Sequence, residues 1–273
     1  MDPIRLPSLA VCDDHVHSLG SCDGHEVIPA LCQAALARGL AGLTITDHFD
    51  TDPSDHGYGL YDYDALWRAV EEARAVYGDR LQVLIGAEVC FQPVFARRIA
   101  DFLAACPLDF VLGSVHYVGR EFVDRAYFAR HGAAGYAAYL EAVEEAVASG
   151  LFDSLGHLDY AKRHGTEPCG PFDPGPHWER IERILRQIVA RGMALEVNTA
   201  GWRHPPAEPY PSEAVLRRYR ELGGTRITLG SDAHRAELVG HEFARAVELA
   251  RRAGFTHQTH FVGRQPQLAP FGC

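Results

Sequence analysis

Short apolar runs alternate with longer amphipathic segments along the whole 273-residue chain. The runs predicted as strands are LAVCDDHVH (9–17), GLTITDH (42–48), LQVLIGAEV (81–89), DFVLGSVH (109–116), FDSLGHLD (152–159), MALEVNT (193–199) and RITLGSDAH (226–234). Each is aliphatic or β-branched in its first half, as a strand buried on both faces should be. Helical periodicity fills the intervals 26–38, 64–77, 134–149, 177–191, 212–222 and 241–253, and each of these ends before a glycine. Such alternation means parallel strands joined by helical crossovers. Seven units followed by a terminal apolar run, 257–263, predict an α/β fold closed into a barrel. The pattern by itself leaves an open doubly wound sheet available. No linker or low-complexity stretch divides the chain, so residues 1–273 read as a single domain.

The polar residues are not scattered across this pattern. The proposed strands end in His15 and His17, Asp47 and His48, Glu88, His116, His157 with Asp159, Glu196, and Asp232 with His234. In a β/α barrel the C-terminal strand ends converge on one rim, where the reactive loops lie. A single histidine at a strand end is usually a hydrogen-bonded surface or core residue. So many imidazoles and carboxylates at one structural position are explained together by a metal cluster. In His15-Val16-His17 the two rings lie on one side of an extended chain and can reach one ion. Asp232 and His234 are expected to repeat that geometry. Mixed imidazole and carboxylate ligation suits divalent Zn, Mn or Fe, and the two oxygens of Glu88 allow it to bridge ions.

Composition narrows the function. The formal net charge is −10, from 26 basic and 36 acidic side chains, which argues against a nucleic-acid partner. No apolar run approaches the roughly 20 residues that span a bilayer, and MDPIRLPSLAVC lacks the pattern of a secretion signal. The expected location is cytoplasmic, with no membrane partner. The seven cysteines contain no CxxC pair and are read as reduced thiols, with Cys12, Cys32, Cys90 and Cys106 in the core. Oligomeric state is not legible.

The ordered series DDHVHS, TDH, GAE, GSVH, GHLD and GSDAH resembles the PHP (polymerase and histidinol phosphatase) family over about residues 10–263. More narrowly, GHLDYAKRHG, EVNTAGWRHP, PYPSEAVLRRYRELGG, GSDAHRAELVG and GFTHQTHFVGRQP are similar to its histidinol-phosphatase branch. The resemblance implies a distorted seven-stranded (β/α)7 barrel, TIM-barrel-like, in agreement with the strand count. It also implies hydrolysis of a small phosphate monoester, L-histidinol phosphate, to L-histidinol and phosphate in histidine biosynthesis. Three divalent transition metals are implied: one on His15, His17, Glu88 and Asp232; one sharing Glu88 with His116 and His157; one on Asp23, His48 and His234. Some relatives carry His at the place of Asp23, and His25 stands close by in sequence.

The implied nucleophile is a hydroxide bridging ions held by His15, His17, Glu88, His116, His157 and Asp232. Three divalent ions, offset by three carboxylates and a hydroxide, leave roughly +2 to meet a phosphate dianion of about −1.5 to −2. Arg163 and Arg203 are the expected phosphate clamps, because a guanidinium fork matches two phosphoryl oxygens. Lys162 is the fallback for Arg163. Asp159 and Asn198 are expected to orient ligands or substrate, and Glu196 has no assigned role. The leading alternative is another PHP-type phosphoesterase, acting on a different small ester or a nucleotide. An amidohydrolase, which also uses HxH on a barrel, fits the ordered motifs less well. A non-catalytic interaction protein is expected to have lost ligand positions, and none is lost here.

Overall fold

The computed structural model describes residues 11–271. Positions 9 and 10 of the first expected strand, and Cys273, lie outside the described residues. Seven parallel strands run in chain order: β1 (Cys12–Val16), β2 (Gly42–Ile45), β3 (Gln82–Cys90), β4 (Phe110–Ser114), β5 (Ser154–Leu155), β6 (Ala194–Asn198) and β7 (Ile227–Gly230). Neighbours in this list are hydrogen-bonded in parallel register. A two-residue strand, His48–Phe49, pairs with the far half of β3 and sets His48 opposite Glu88. β1 returns against the end of β7 through a bridge between Val16 and Ala233. The sheet is therefore a nearly closed barrel, not an open doubly wound sheet.

Closure below that bridge is made by a side chain. Gln258 accepts the Cys12 N–H at 2.9 Å and donates to the Cys12 carbonyl and to Asp14, both at 2.7 Å. Buried backbone groups need such partners where no strand supplies them. Gln258 lies on β8 (His257–Val262), which folds back on β9 (Gln265–Pro270) as an antiparallel hairpin. The run 257–263 is thus a hairpin strand and not part of the parallel barrel. Its turn, Gly263-Arg264, has φ of 55° and 61°, the signature of the two-residue turn that matches strand twist. The Arg264 guanidinium is held there by Asp153 and the Leu151 carbonyl. Phe261 of β8 packs on Phe110 with ring centroids 5.4 Å apart, beside Leu112 and Ala194.

The helices are α1 (Ile28–Ala37), α2 (Tyr63–Tyr77), α3 (Ala96–Ala105), α4 (Arg125–His131), α5 (Ala134–Ser149), α6 (Lys162–Cys169), α7 (Trp178–Arg191), α8 (Glu213–Glu221) and α9 (Phe243–Arg252). Periodicity predicts six of these and misses α3, α4 and α6. α6 reads KRHGTEPC, with Gly and Pro inside it and no apolar stripe. Gly165 is required there because a Cβ would meet the Tyr136 hydroxyl at 2.2 Å. α7 shows the reverse case. Ile181, Ile184, Leu185 and Ile188 recur on one buried face, and each contributes roughly 1.5–3 kcal/mol of burial. Leu185→Ala would cost about 2–5 kcal/mol.

Two acids are buried in β1. Asp13 accepts the Ser231 hydroxyl and N–H and the Gly240 N–H, which ties β1 to the segment that follows β7. Burial pushes the Asp13 carboxyl up to about 6 and the Asp14 carboxyl to about 8. All six cysteines among the described residues are unpaired. Cys12, Cys32 and Cys90 are buried, whereas Cys106, expected in the core, is only half-buried because it follows the end of α3. No helix among the described residues is long and apolar enough to cross a membrane.

Candidate metal centre

His15 lies near the end of β1 and His17 directly after it, and their Nε2 atoms are 3.0 Å apart. His15 Nδ1 is 2.7 Å from Glu196 Oε1. A carboxylate only accepts, so Nδ1 carries the proton. His17 Nδ1 meets Ser21 Oγ at 3.0 Å, and that hydroxyl gives its own proton to Asp47 at 3.1 Å. The hydrogen-bond network thereby assigns a proton to Nδ1 of both rings. If both rings were neutral, two Nε2 lone pairs would face each other, so a cation, either a proton on His15 favoured by Glu196, Glu88 and Asp232 or a metal ion, belongs between them.

Glu88 is the hub. Its Oε2 is 3.2 Å from His15 Nε2, 3.4 Å from His17 Nε2 and 3.0 Å from His48 Nδ1. Its Oε1 is 2.8 Å from His157 Nε2 and 3.4 Å from His116 Nε2. Asp232 Oδ1 completes the inner group at 3.8 Å from His15 Nε2 and 3.6 Å from His17 Nε2. On the outer side Asp23 approaches His234 Nε2 at 3.1 Å and His48 Nε2 at 3.6 Å. His25 is exposed and joins only through its backbone N–H, which donates to the His234 carbonyl at 3.0 Å. The structure thus brings His15, His17, Asp23, His48, Glu88, His116, His157, Asp232 and His234 into one volume, although β1 and β7 are more than 200 residues apart.

The donor set fits divalent cations on three counts. His157 Nδ1 is buried without any partner, and His48 Nδ1 and His234 Nε2 are buried with only a carboxylate contact out of hydrogen-bond geometry, at 3.0 and 3.1 Å. Burial opposes ionisation of Glu88 and Asp232, yet the imidazoles around them hold both carboxyls well below the usual range. Burial likewise opposes charge on His48, but Glu88 lifts it to about 10. The cluster has the potential of a cation trap, with protons occupying the part that metal ions would take.

Several expected roles change. Asp232 and His234 do not repeat the extended geometry of His15 and His17. β7 stops at Gly230, and Asp232 has φ of 54°, a left-handed bend that Asp tolerates. The bend sends the Asp232 carbonyl to His234 Nδ1 at 3.0 Å and to Arg203 Nη2 at 2.7 Å. Lys162 is not a phosphate ligand. It is fully buried and spends its three N–H bonds on Asp159, Glu208 and the Pro209 carbonyl, at 2.8–2.9 Å. Asp159 serves that lysine and does not orient a ligand. Asn198 is fully buried and does not reach substrate, but its Nδ2, shared between Glu196 and Asp232, orients a ligand as expected.

A cavity of about 440 Å³ opens over the cluster, lined by His48, Glu88, His116, His157, Asp232 and Arg163, among others. Arg163 lies 5.7 Å from the Tyr160 ring centroid, and no carboxylate or carbonyl of the described residues pairs with it. Arg203, the other expected clamp, is half-buried and is not among the residues lining the cavity; its Nη1 is buried and unpartnered. A larger apolar groove, about 770 Å³, lies between α1 and α2 and holds none of the clustered ligands.

Sequence reasoning left Glu196, Ser21 and Asp47 without roles. Glu196 orients His15 and also accepts the His157 N–H at 2.7 Å. Ser21 and Asp47 fix His17 across 26 residues of sequence. The only signal was that Glu196 and Asp47 are acids in otherwise buried strand ends. Asp50, in the Asp-, His- and Tyr-rich loop 49–63 that the sequence offers as a cover for substrate, and Cys90, expected only as a core thiol, both come within 4.8 Å of His116.

Imidazoles and carboxylates gathered at the C-terminal rim of a parallel barrel are the arrangement of a metal-binding α/β barrel. A family model described as the PHP domain matches residues 13–200. The chain belongs to the PHP domain family. It is 37% identical over 261 residues to a probable histidinol-phosphatase of Deinococcus radiodurans, covering 89% of this chain and 94% of that protein. It is 30% identical over 261 residues to the histidinol-phosphatase of Lactococcus lactis subsp. lactis, covering 92% and 94%. The crystal structure of histidinol phosphate phosphatase from Lactococcus lactis subsp. lactis, complexed with zinc, L-histidinol and phosphate, matches with a TM-score of 0.87 at 29% identity. That match covers 95% of this chain and 100% of that one.

Proposed function

We propose that this chain is a metal-dependent phosphomonoesterase that converts L-histidinol phosphate and water to L-histidinol and phosphate, a step of histidine biosynthesis. The observation that carries the reading is the unpaired guanidinium of Arg163 facing the same cavity as the imidazole and carboxylate cluster. Two relatives named for this activity, and a solved relative holding L-histidinol and phosphate, support the choice of substrate.

Three divalent ions, Zn, Fe or Mn, would be held by His15, His17, Glu88 and Asp232; by Glu88, His116 and His157; and by Asp23, His48 and His234. Such ions supply a water acidified to near neutral pKa and positive charge for the phosphoryl oxygens, in a reaction that is among the slowest uncatalysed hydrolyses. The protein's own groups do the rest. Arg163 offers a planar fork to two phosphoryl oxygens, and Tyr160 beneath it fixes its direction. Arg203 anchors the Asp232 bend through Nη2, and its guanidinium adds positive potential next to Asp232. Glu196 holds the proton on His15 Nδ1, while Ser21 and Asp47 hold the one on His17 Nδ1. Each ring is thereby fixed with Nε2 inward.

Phosphate release from L-histidinol phosphate, a mononucleotide and single-stranded DNA, each with defined Zn, Mn or Fe, tests the reading. The expected order places histidinol phosphate first by at least a hundredfold in kcat/KM. A mononucleotide or DNA in first place would overturn it.

A further inference from the structure

The cavity wall beyond the metal ligands is built from the loop after His48 and from the short antiparallel ribbon at Tyr117–Val118 and Glu121–Phe122. Two carboxylates face it, and they are not equivalent. Asp55 is satisfied: it accepts the Gly57 N–H at 2.7 Å and the Tyr117 hydroxyl at 2.5 Å. Asp50 is only 7% exposed and lines the cavity, yet no hydrogen bond or ion pair reaches its carboxylate among the described residues. The loop closes on it so tightly that a Cβ on Gly57 would sit 2.2 Å from Asp50 Oδ2. A carboxylate this enclosed and unpaired is costly, and a cationic partner arriving in the cavity would offset that cost.

Two partners are available in principle. One is a further metal ion shared with Cys90 and His116, whose ligand atoms lie within 4.8 Å of Asp50. His116 is already engaged with Glu88, at 3.4 Å. The other partner is the substrate. L-Histidinol phosphate carries an ammonium group as well as a phosphate, so its two charged ends need opposite walls of potential. Arg163 and the cluster provide one, and Asp50 with neighbouring Asp55 provides the other. Phe122, 42% exposed on the same wall, adds an apolar face for the rest of the molecule.

We propose that Asp50 is a specificity-determining residue whose carboxylate receives the ammonium group of the substrate. This rests on the substrate reading given above. The test compares kcat/KM for L-histidinol phosphate and for its desamino analogue, imidazolylpropyl phosphate, in the metal-loaded full-length protein and in its Asp50→Asn variant. A charge-assisted hydrogen bond of this type corresponds to about a 10- to 100-fold preference for the amine-bearing ester in the wild type. Asp50→Asn is expected to erase that preference mainly through KM, with metal content per chain unchanged. A preference that survives the substitution, or is absent from a wild type that hydrolyses histidinol phosphate well, overturns this inference alone. Loss of a metal equivalent in the variant overturns it in favour of a metal-ligand role. A wild type that does not hydrolyse histidinol phosphate overturns the substrate reading, and the ammonium site falls with it.

Discussion

Glu196 Oε1 lies 2.7 Å from His15 Nδ1, and both residues are completely buried. One carboxylate thus fixes the tautomer and the direction of an imidazole that arrives from the opposite end of the sequence. Its other oxygen accepts the backbone N–H of His157, so it sets the spacing between two neighbouring ligands as well.

Glu196→Gln keeps the shape and removes the charge that raises the basicity of His15. Metal affinity is expected to fall about 10- to 100-fold. Competition against a chelator of known affinity measures this directly, and an unchanged affinity would remove Glu196 from the metal site.

Stripping the metals should abolish phosphate release, and adding back Zn or Mn should restore it. Ions that bind only the folded chain stabilise it, by about 4 kcal/mol for one site at a thousandfold excess over Kd. Calorimetry should therefore show a lower Tm for the stripped protein. Identical melting with and without metal would contradict the cluster as a cation site. His15→Ala should match the stripped enzyme in activity while keeping the fold, because its ring can be lost without touching the hydrophobic core.

Adjacent residues in α6 should respond in opposite ways. Arg163→Ala is expected to raise KM for the phosphate ester roughly 10- to 100-fold at unchanged metal content. An unaltered KM removes it from the phosphate clamp. Lys162→Met should leave KM alone and destabilise the fold by about 3–5 kcal/mol, since it strands the buried Asp159 carboxylate. Urea unfolding that shows no loss of stability would refute the structural role of Lys162.

His164 and His204 flank the arginine wall, and each has its pKa pushed down to about 4, by burial first and by Arg163 next. Both are neutral in the folded chain down to about that pH, whereas in the unfolded chain they take up protons near 6.5. The unfolded state therefore binds more protons at these two sites between these values, and their contribution to stability falls as pH drops from about 6.5 towards 4, against the buried carboxyls of Asp13 and Asp14, whose contribution has the opposite sign. Replacing both with Asn should remove that contribution, so that the variant loses less stability, or gains more, than the wild type between these pH values. NMR titration gives the sharper reading: a midpoint above 6 for either ring would exclude the arrangement.

The barrel and most of the ligands were legible in the sequence because parallel strands buried on both faces leave an aliphatic signature, and their polar ends stand out against it. HVH at 15–17, GAE at 86–88 and SDAH at 231–234 could be read as a converging set once the alternation of strands and helices was seen. Local chemistry also marked α7, whose apolar stripe is complete. It could not mark α6, where Gly165 is dictated by a tyrosine from α5.

What only the tertiary structure decided is which polar groups meet. Lys162 and Arg163 are neighbours in one basic tripeptide with His164, yet one turns inward to Asp159, Glu208 and the Pro209 carbonyl, and the other faces the cavity. Asp50 and Asp55 lie in one acidic loop, but only Asp55 finds hydrogen-bond donors. Periodicity records which side of an element faces apolar surroundings. The partner of a charged group is set by packing between elements distant in sequence, and the free energy of a buried charge depends on that partner.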